Sequence, residues 1–160
     1  MKTTALLMAI LLVPGIAFAG QFTNANALKG LKTVKVVCDV NVGEPGLLLG
    51  RMELIEETYT QLLDAGIQPT FVVAFRGPAT KYVTRGSGYV APEDLAIKKK
   101  IQGFVTQFHR NGFTLEQCAI AARALNVSYD DILPQITVVR NGYISIIAYQ
   151  NKGYALLPMD

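Results

Sequence analysis

The sequence predicts an α/β domain with a five-stranded, mostly parallel sheet covered by helices on both faces. Three observations carry that prediction. Short apolar or β-branched runs alternate with longer stretches whose apolar residues recur at helical spacing, across residues 33–160. Gly66, Pro92, Gly112 and Pro134 fall at the boundaries between these runs. The composition, 51% hydrophobic and 17% charged, is that of a packed globular chain and excludes disorder. Strands alternating with helices pair in parallel, because parallel crossovers are helical and lay their helices on the sheet faces.

The first strand is expected over residues 33–40, a β-branched run typical of a buried parallel strand, followed by a turn-rich Asn41-Val42-Gly43-Glu44-Pro45-Gly46 loop. Leu48, Met52, Ile55, Tyr59 and Leu62 then share one face of a helix, opposite Glu53, Glu56, Glu57 and Asp64, and Gly66 stops it. Residues 70–75 form the second strand. Its end opens into a long connection, residues 76–86, rich in glycine and cations, and long irregular connections often carry function. Pro92 suits a helix start, and Ile97, Ile101 and Phe108 continue the apolar face until Asn111-Gly112. The run Lys98-Lys99-Lys100 is read as a solvated face of this helix. The third strand covers residues 113–118 and the next helix 119–125. Ser128 is the expected N-cap of a short turn, residues 136–139 the fourth strand, 143–150 an amphipathic helix and 154–157 the fifth strand.

The amino terminus bounds the compartment. Lys2 precedes an apolar run to Val13, a Pro14-Gly15 break and the Ala17-Phe18-Ala19 pattern cut by signal peptidase. Residues 1–19 are therefore read as a signal peptide, 20–32 as a loose arm and 33–160 as the domain, with the periplasm as destination. The apolar run is shorter than the roughly 20 residues of a membrane span, and no membrane span is expected. About 140 residues remain, enough for one core. A net charge of +3, without tryptophan or a basic stripe, argues against nucleic acid as a partner.

Cys38 and Cys118 are expected to be unbonded, since they lie on different strands and a bridge needs Cα atoms within about 7 Å. Cys38 reads as core filler. Cys118 has two readings, a small buried hydrophobe or a partly accessible nucleophile at the strand-to-helix turn. Chemistry in open α/β sheets gathers at carboxyl ends of strands, and a following helix amino terminus favours thiolate. Arg76, Lys81 and Arg123 are the cations expected to line its crevice as substrate-binding residues. The glycines at 86 and 88 do not follow a strand, so no nucleotide cofactor is expected. His109, the single histidine, lacks companions at ligand spacing, so no metal is expected, and nothing in spacing pairs it with Cys118.

The order of the NVGEP loop, the LIEETY helix, the VVAFRG strand end, LEQCAIAAR, DILP and a closing KGYALLPMD is similar to the DsrE/DsrF-like group, over nearly all of residues 33–160. The resemblance implies a three-layer α/β/α sandwich and assembly as a homo-oligomer. In cytoplasmic sulfur-relay members a cysteine at the end of the third strand carries sulfur as a persulfide. Cys118 holds the matching position, and Arg123 stands where an arginine often follows. Those members work beside partner subunits in a reducing cytoplasm, whereas this chain reads as exported. The expected function is a sulfur carrier or sulfurtransferase with Cys118 as catalytic residue and a donor or acceptor protein as partner. The alternative is a non-enzymatic oligomeric module that binds a small anion or a partner protein in the same crevice.

Overall fold

A computed structural model describes residues 22–160. The expected signal peptide, residues 1–19, lies outside the described residues. The described residues fall into two units that part after Gly30. In the first, part of the expected loose arm forms a single helical turn, α1 (Ala25–Leu28), closed by Leu28 N–H donating to the Asn24 carbonyl at 3.0 Å.

The second unit contains a five-stranded, wholly parallel sheet in the order β4-β3-β2-β1-β5. The strands are β1 (Thr33–Val40), β2 (Gln68–Phe75), β3 (Thr114–Cys118), β4 (Thr137–Val139) and β5 (Ala155–Met159). The helices are α2 (Pro45–Asp64), α3 (Leu95–Arg110), α4 (Ala119–Ala124) and α5 (Gly142–Asn151). The α2 start is built by its own sequence: Pro45 sets the first helical φ, and the Glu44 carboxylate accepts from Gly46 N–H at 2.9 Å and from Leu47 N–H.

Alternation along the strands divides the core. Val36, Cys38 and Val40 of β1 and Phe71, Val73 and Phe75 of β2 face Leu48, Met52 and Ile55 of α2 and Ile101, Val105 and Phe108 of α3. Phe113 stacks between Phe71 and Phe108, each ring centroid 4.9 Å away, and Tyr59 meets Phe113 edge-on at 4.8 Å. Val37, Val72 and Ala74 point to the opposite face, under Ile146 of α5.

Three local expectations are corrected. Helix α5 is not amphipathic: it buries Ile146 yet leaves Tyr143, Ile144 and Ile147 57–60% exposed. Ser128 precedes a 3₁₀ turn, Tyr129–Asp131, without a capping bond from its side chain. Lys98 is not solvated. It is 3% exposed, and its ammonium donates to Thr84 Oγ1 at 2.6 Å and to the Gly86 carbonyl. The connection after β2, which forms a 3₁₀ helix over Gly77–Val83, returns across α3 and supplies those acceptors. Burial lowers the lysine's pKa from its ordinary value, opposed by the attraction of Asp131.

Candidate functional site

Parallel pairing puts the carboxyl ends of β1, β2 and β3 at one edge of the sheet. Phe75 pairs with Gln117, so the next residues, Arg76 and Cys118, leave adjacent strands side by side. Asp39 pairs with Ala74 on the neighbouring strand, one residue from the end of β1. The start of α5 closes over them, held by Asn141 Oδ1 accepting from Tyr143 N–H at 3.0 Å. These elements enclose a cavity of about 200 Å³ lined by Arg76, Gly77, Cys118, Tyr143 and, from α4, Ile120, Ala121 and Ala124.

The two cysteines have different surroundings, and both are free. Strand β2 separates their strands. Cys38 is sealed in the core, where burial pushes its thiol up to about 12. Cys118 forms part of the cavity wall but is 4% exposed, less open than the sequence suggests. Its cover is Gly142: a Cβ there would lie 3.1 Å from Cys118 Cβ and 3.6 Å from Sγ. A Cβ at that distance would be tighter than most, so Cys118 or α5 would have to give by a few tenths of an ångström.

Arg76 is clamped. Its Nε and Nη2 donate to the two oxygens of Asp39, the second at 2.5 Å, and Nη1 donates to Tyr143 Oη at 2.9 Å. The guanidinium also lies 4.5 Å from the Tyr143 ring centre. Both ion-pair side chains are 15% exposed. The bond to Asp39 raises the Arg76 pKa, partly opposed by burial, and the contact between them is bidentate.

Two further networks hold the cavity walls. Gln117, fully buried, donates from Nε2 to Thr80 Oγ1 at 2.8 Å and to the Cys118 carbonyl at 3.0 Å, while Thr80 Oγ1 donates to the Gly77 carbonyl at 2.7 Å. This chain ties the loop carrying Gly77 to the end of β3. On the other face, Tyr149 of α5 donates to Glu116 Oε1 at 2.9 Å. Burial, with that bond second, pushes the tyrosine up to about 12, so it remains a donor.

Of the expected substrate-binding cations, the structure brings Arg76 to the cysteine. Lys81 lies in the 3₁₀ helix and does not line the cavity. Arg123 points from α4 into a separate hollow beside Asn126, Val127, Ser128 and Tyr129. His109 lies in the last turn of α3, before the amino end of β3, whereas Cys118 is at the carboxyl end of β3. Among the described residues, no three His, Cys, Asp or Glu side chains gather to hold a metal, and no helix is long and apolar enough to cross a membrane. Asp39, Gln117, Gly142 and Tyr143 escaped the sequence reading. A carboxylate in the β-branched run of β1 was the available signal, because a buried charge requires a partner.

The model of the DsrE/DsrF-like family matches residues 22–159. The chain belongs to the DsrE/DsrF-like family. This DsrE/DsrF-like chain is also 26% identical over 129 residues to an uncharacterized protein of Aquifex aeolicus, covering 78% of the chain. It spans only 56% of that relative's length. Among solved structures, the protein of unknown function MTH1491 from Methanobacterium thermoautotrophicum superposes with a TM-score of 0.62 at 19% identity, over 78% of this chain and 98% of that one. That likeness shows the fold: a DsrE-like α/β domain with helices on both sides of a parallel sheet.

Proposed function

We propose that this DsrE/DsrF-like protein is a sulfur carrier of the periplasm, in which Cys118 takes up sulfane sulfur as a persulfide and passes it to an acceptor thiol. The observation that carries the reading is a thiol at the carboxyl end of β3, lining a small cavity of its own beside a clamped arginine. Cys118 thiolate attacks the outer sulfur of a persulfide donor; the new S–S bond forms as the donor's S–S bond breaks, and the donor leaves as a thiol. An acceptor thiolate reverses the process. The low exposure of Cys118 suits a carrier, because access controls exchange with unrelated thiols. Export rests on the signal-like pattern of residues 1–19.

The test is mass spectrometry of reduced protein treated with a small persulfide. One added sulfur atom is expected on the Cys118 peptide, none on the sealed Cys38, and none on Cys118→Ser protein. Equal loading of Cys118→Ser, or loading confined to Cys38, would overturn the reading.

The proposal includes self-assembly, because Tyr143, Ile144 and Ile147 of α5 form an exposed apolar stripe and Leu156 of the edge strand β5 is 41% exposed. Light scattering of the mature protein at micromolar concentration should give a multiple of the chain mass. Monomer alone would refute assembly. The same stripe favours the second reading, a non-enzymatic module binding a partner protein, if Cys118 fails the persulfide test.

A further inference from the structure

We propose that Asp39 sets the donor specificity of this site, tuning the Cys118 cavity to organic persulfides and against dianionic sulfur oxyanions such as thiosulfate. The inference rests on the persulfide reading above and deepens it. Arg76 is the one cation among the residues lining the cavity. Its charge is matched by the Asp39 carboxylate, and three of its five N–H groups are taken by Asp39 and Tyr143. Lys81 and Arg123 lie outside the lining. Much of the remaining wall is apolar, from Ile120, Ala121 and Ala124.

A dianion entering this space gives up water and meets an arginine whose charge Asp39 already offsets. A cavity of about 200 Å³ has room for thiosulfate, so the discrimination is one of charge and not of size. An organic persulfide instead lays its alkyl body against the α4 wall and presents its outer sulfur to Cys118.

Both transfers balance without an oxidant. With R–S–SH, the Cys118 thiolate bonds to the outer sulfur, the donor's S–S bond breaks, and RS⁻ leaves with the bonding pair and takes a proton from water to become RSH. With thiosulfate, the thiolate bonds to the same sulfane sulfur, the S–S bond breaks, and sulfite leaves with the bonding pair. In each case the product is the Cys118 persulfide. Only the second requires the site to admit a donor that itself carries two negative charges.

The experiment compares initial rates of Cys118 loading, by mass spectrometry, from the persulfide of 2-mercaptoethanol and from thiosulfate. Both are normalised to a free small thiol to remove the donors' intrinsic reactivity. Asp39→Asn unmasks Arg76 and should raise the thiosulfate rate relative to the persulfide rate about tenfold at low salt, the effect of one unneutralised charge at close range. That gain should fade with added salt, and Asp39→Glu should restore the wild-type preference. A purely structural role for Asp39 would depress both donors equally, and that result would overturn the proposal.

A second measurement needs no variant to fold. Wild-type loading from thiosulfate should change by less than about twofold as salt rises beyond the range where surface charges are screened. A steep fall would show that the cavity attracts dianions and would overturn the proposal while leaving the carrier reading intact. Loading from neither donor would instead remove the carrier reading, and this inference with it.

Discussion

Truncating Phe108 to alanine is expected to lower the unfolding free energy by about 3–5 kcal/mol, the range for removing a buried aromatic ring. Phe108 is fully buried on α3, stacked 4.9 Å from Phe113, which stacks in turn on Phe71. The stack joins α3, the entry to β3 and the middle of β2, so the vacated space is bordered by rings held from three elements. Those rings cannot all close into it, and the lost contacts add to the lost transfer free energy. Since a domain is stable by only about 5–15 kcal/mol, the variant should unfold at much lower urea. Phe113 precedes the amino end of β3 and Cys118 is at its other end, so Cys118 loading should be unchanged within about twofold wherever the variant is folded. A stability loss below about 1 kcal/mol would mean that the neighbours collapse into the gap and that this stack is not a rigid support.

Gly142→Val is expected to slow Cys118 loading about tenfold or more and to destabilise the fold by about 1–3 kcal/mol. A Cβ at Gly142 would meet Cys118 Cβ at 3.1 Å and Arg76 Cβ at 3.9 Å. The added branches of valine have room only if α5 lifts or Cys118 turns away from the cavity. Lifting α5 would also part Tyr143 from Arg76 and Tyr149 from Glu116. Gly142→Ala should give a smaller loss in the same direction. Gly88→Val is the control, because a Cβ there meets nothing within 4 Å. Persulfide loading by Gly142→Val at the wild-type rate would show that the α5 start does not define the Cys118 pocket.

Local patterns explain why most of the scaffold was legible. The β-branched run of residues 33–40 calls for burial on both faces, and β1 spans Thr33–Val40. Glu44-Pro45 carries the start of α2 in its own chemistry, a side-chain cap followed by a preset φ. Cys118 was recognised at a strand-to-helix handover, and Arg76 at a strand end, because each position follows from its own segment. The burial of Lys98 escapes local pattern for the opposite reason: its neighbours in sequence are exposed lysines, whereas its acceptors come from Thr84 and Gly86 on another segment.

The sequence by itself determined the alternation of strands and helices, the parallel sheet, and the placing of a lone thiol and an arginine at strand ends. Those properties are set within single segments by side-chain shape, period and capping. Only the tertiary structure decided that Asp39 clamps Arg76, that Gly142 covers Cys118, that Gln117 ties the loop to β3, and that Arg123 faces a different hollow. Each of these depends on strand order, on pairing register across β1, β2 and β3, or on the approach of one helix. A contact between residues 37 apart, as in Asp39 and Arg76, leaves no periodic trace in either segment. The chain encodes such contacts only through the packing of the whole sheet.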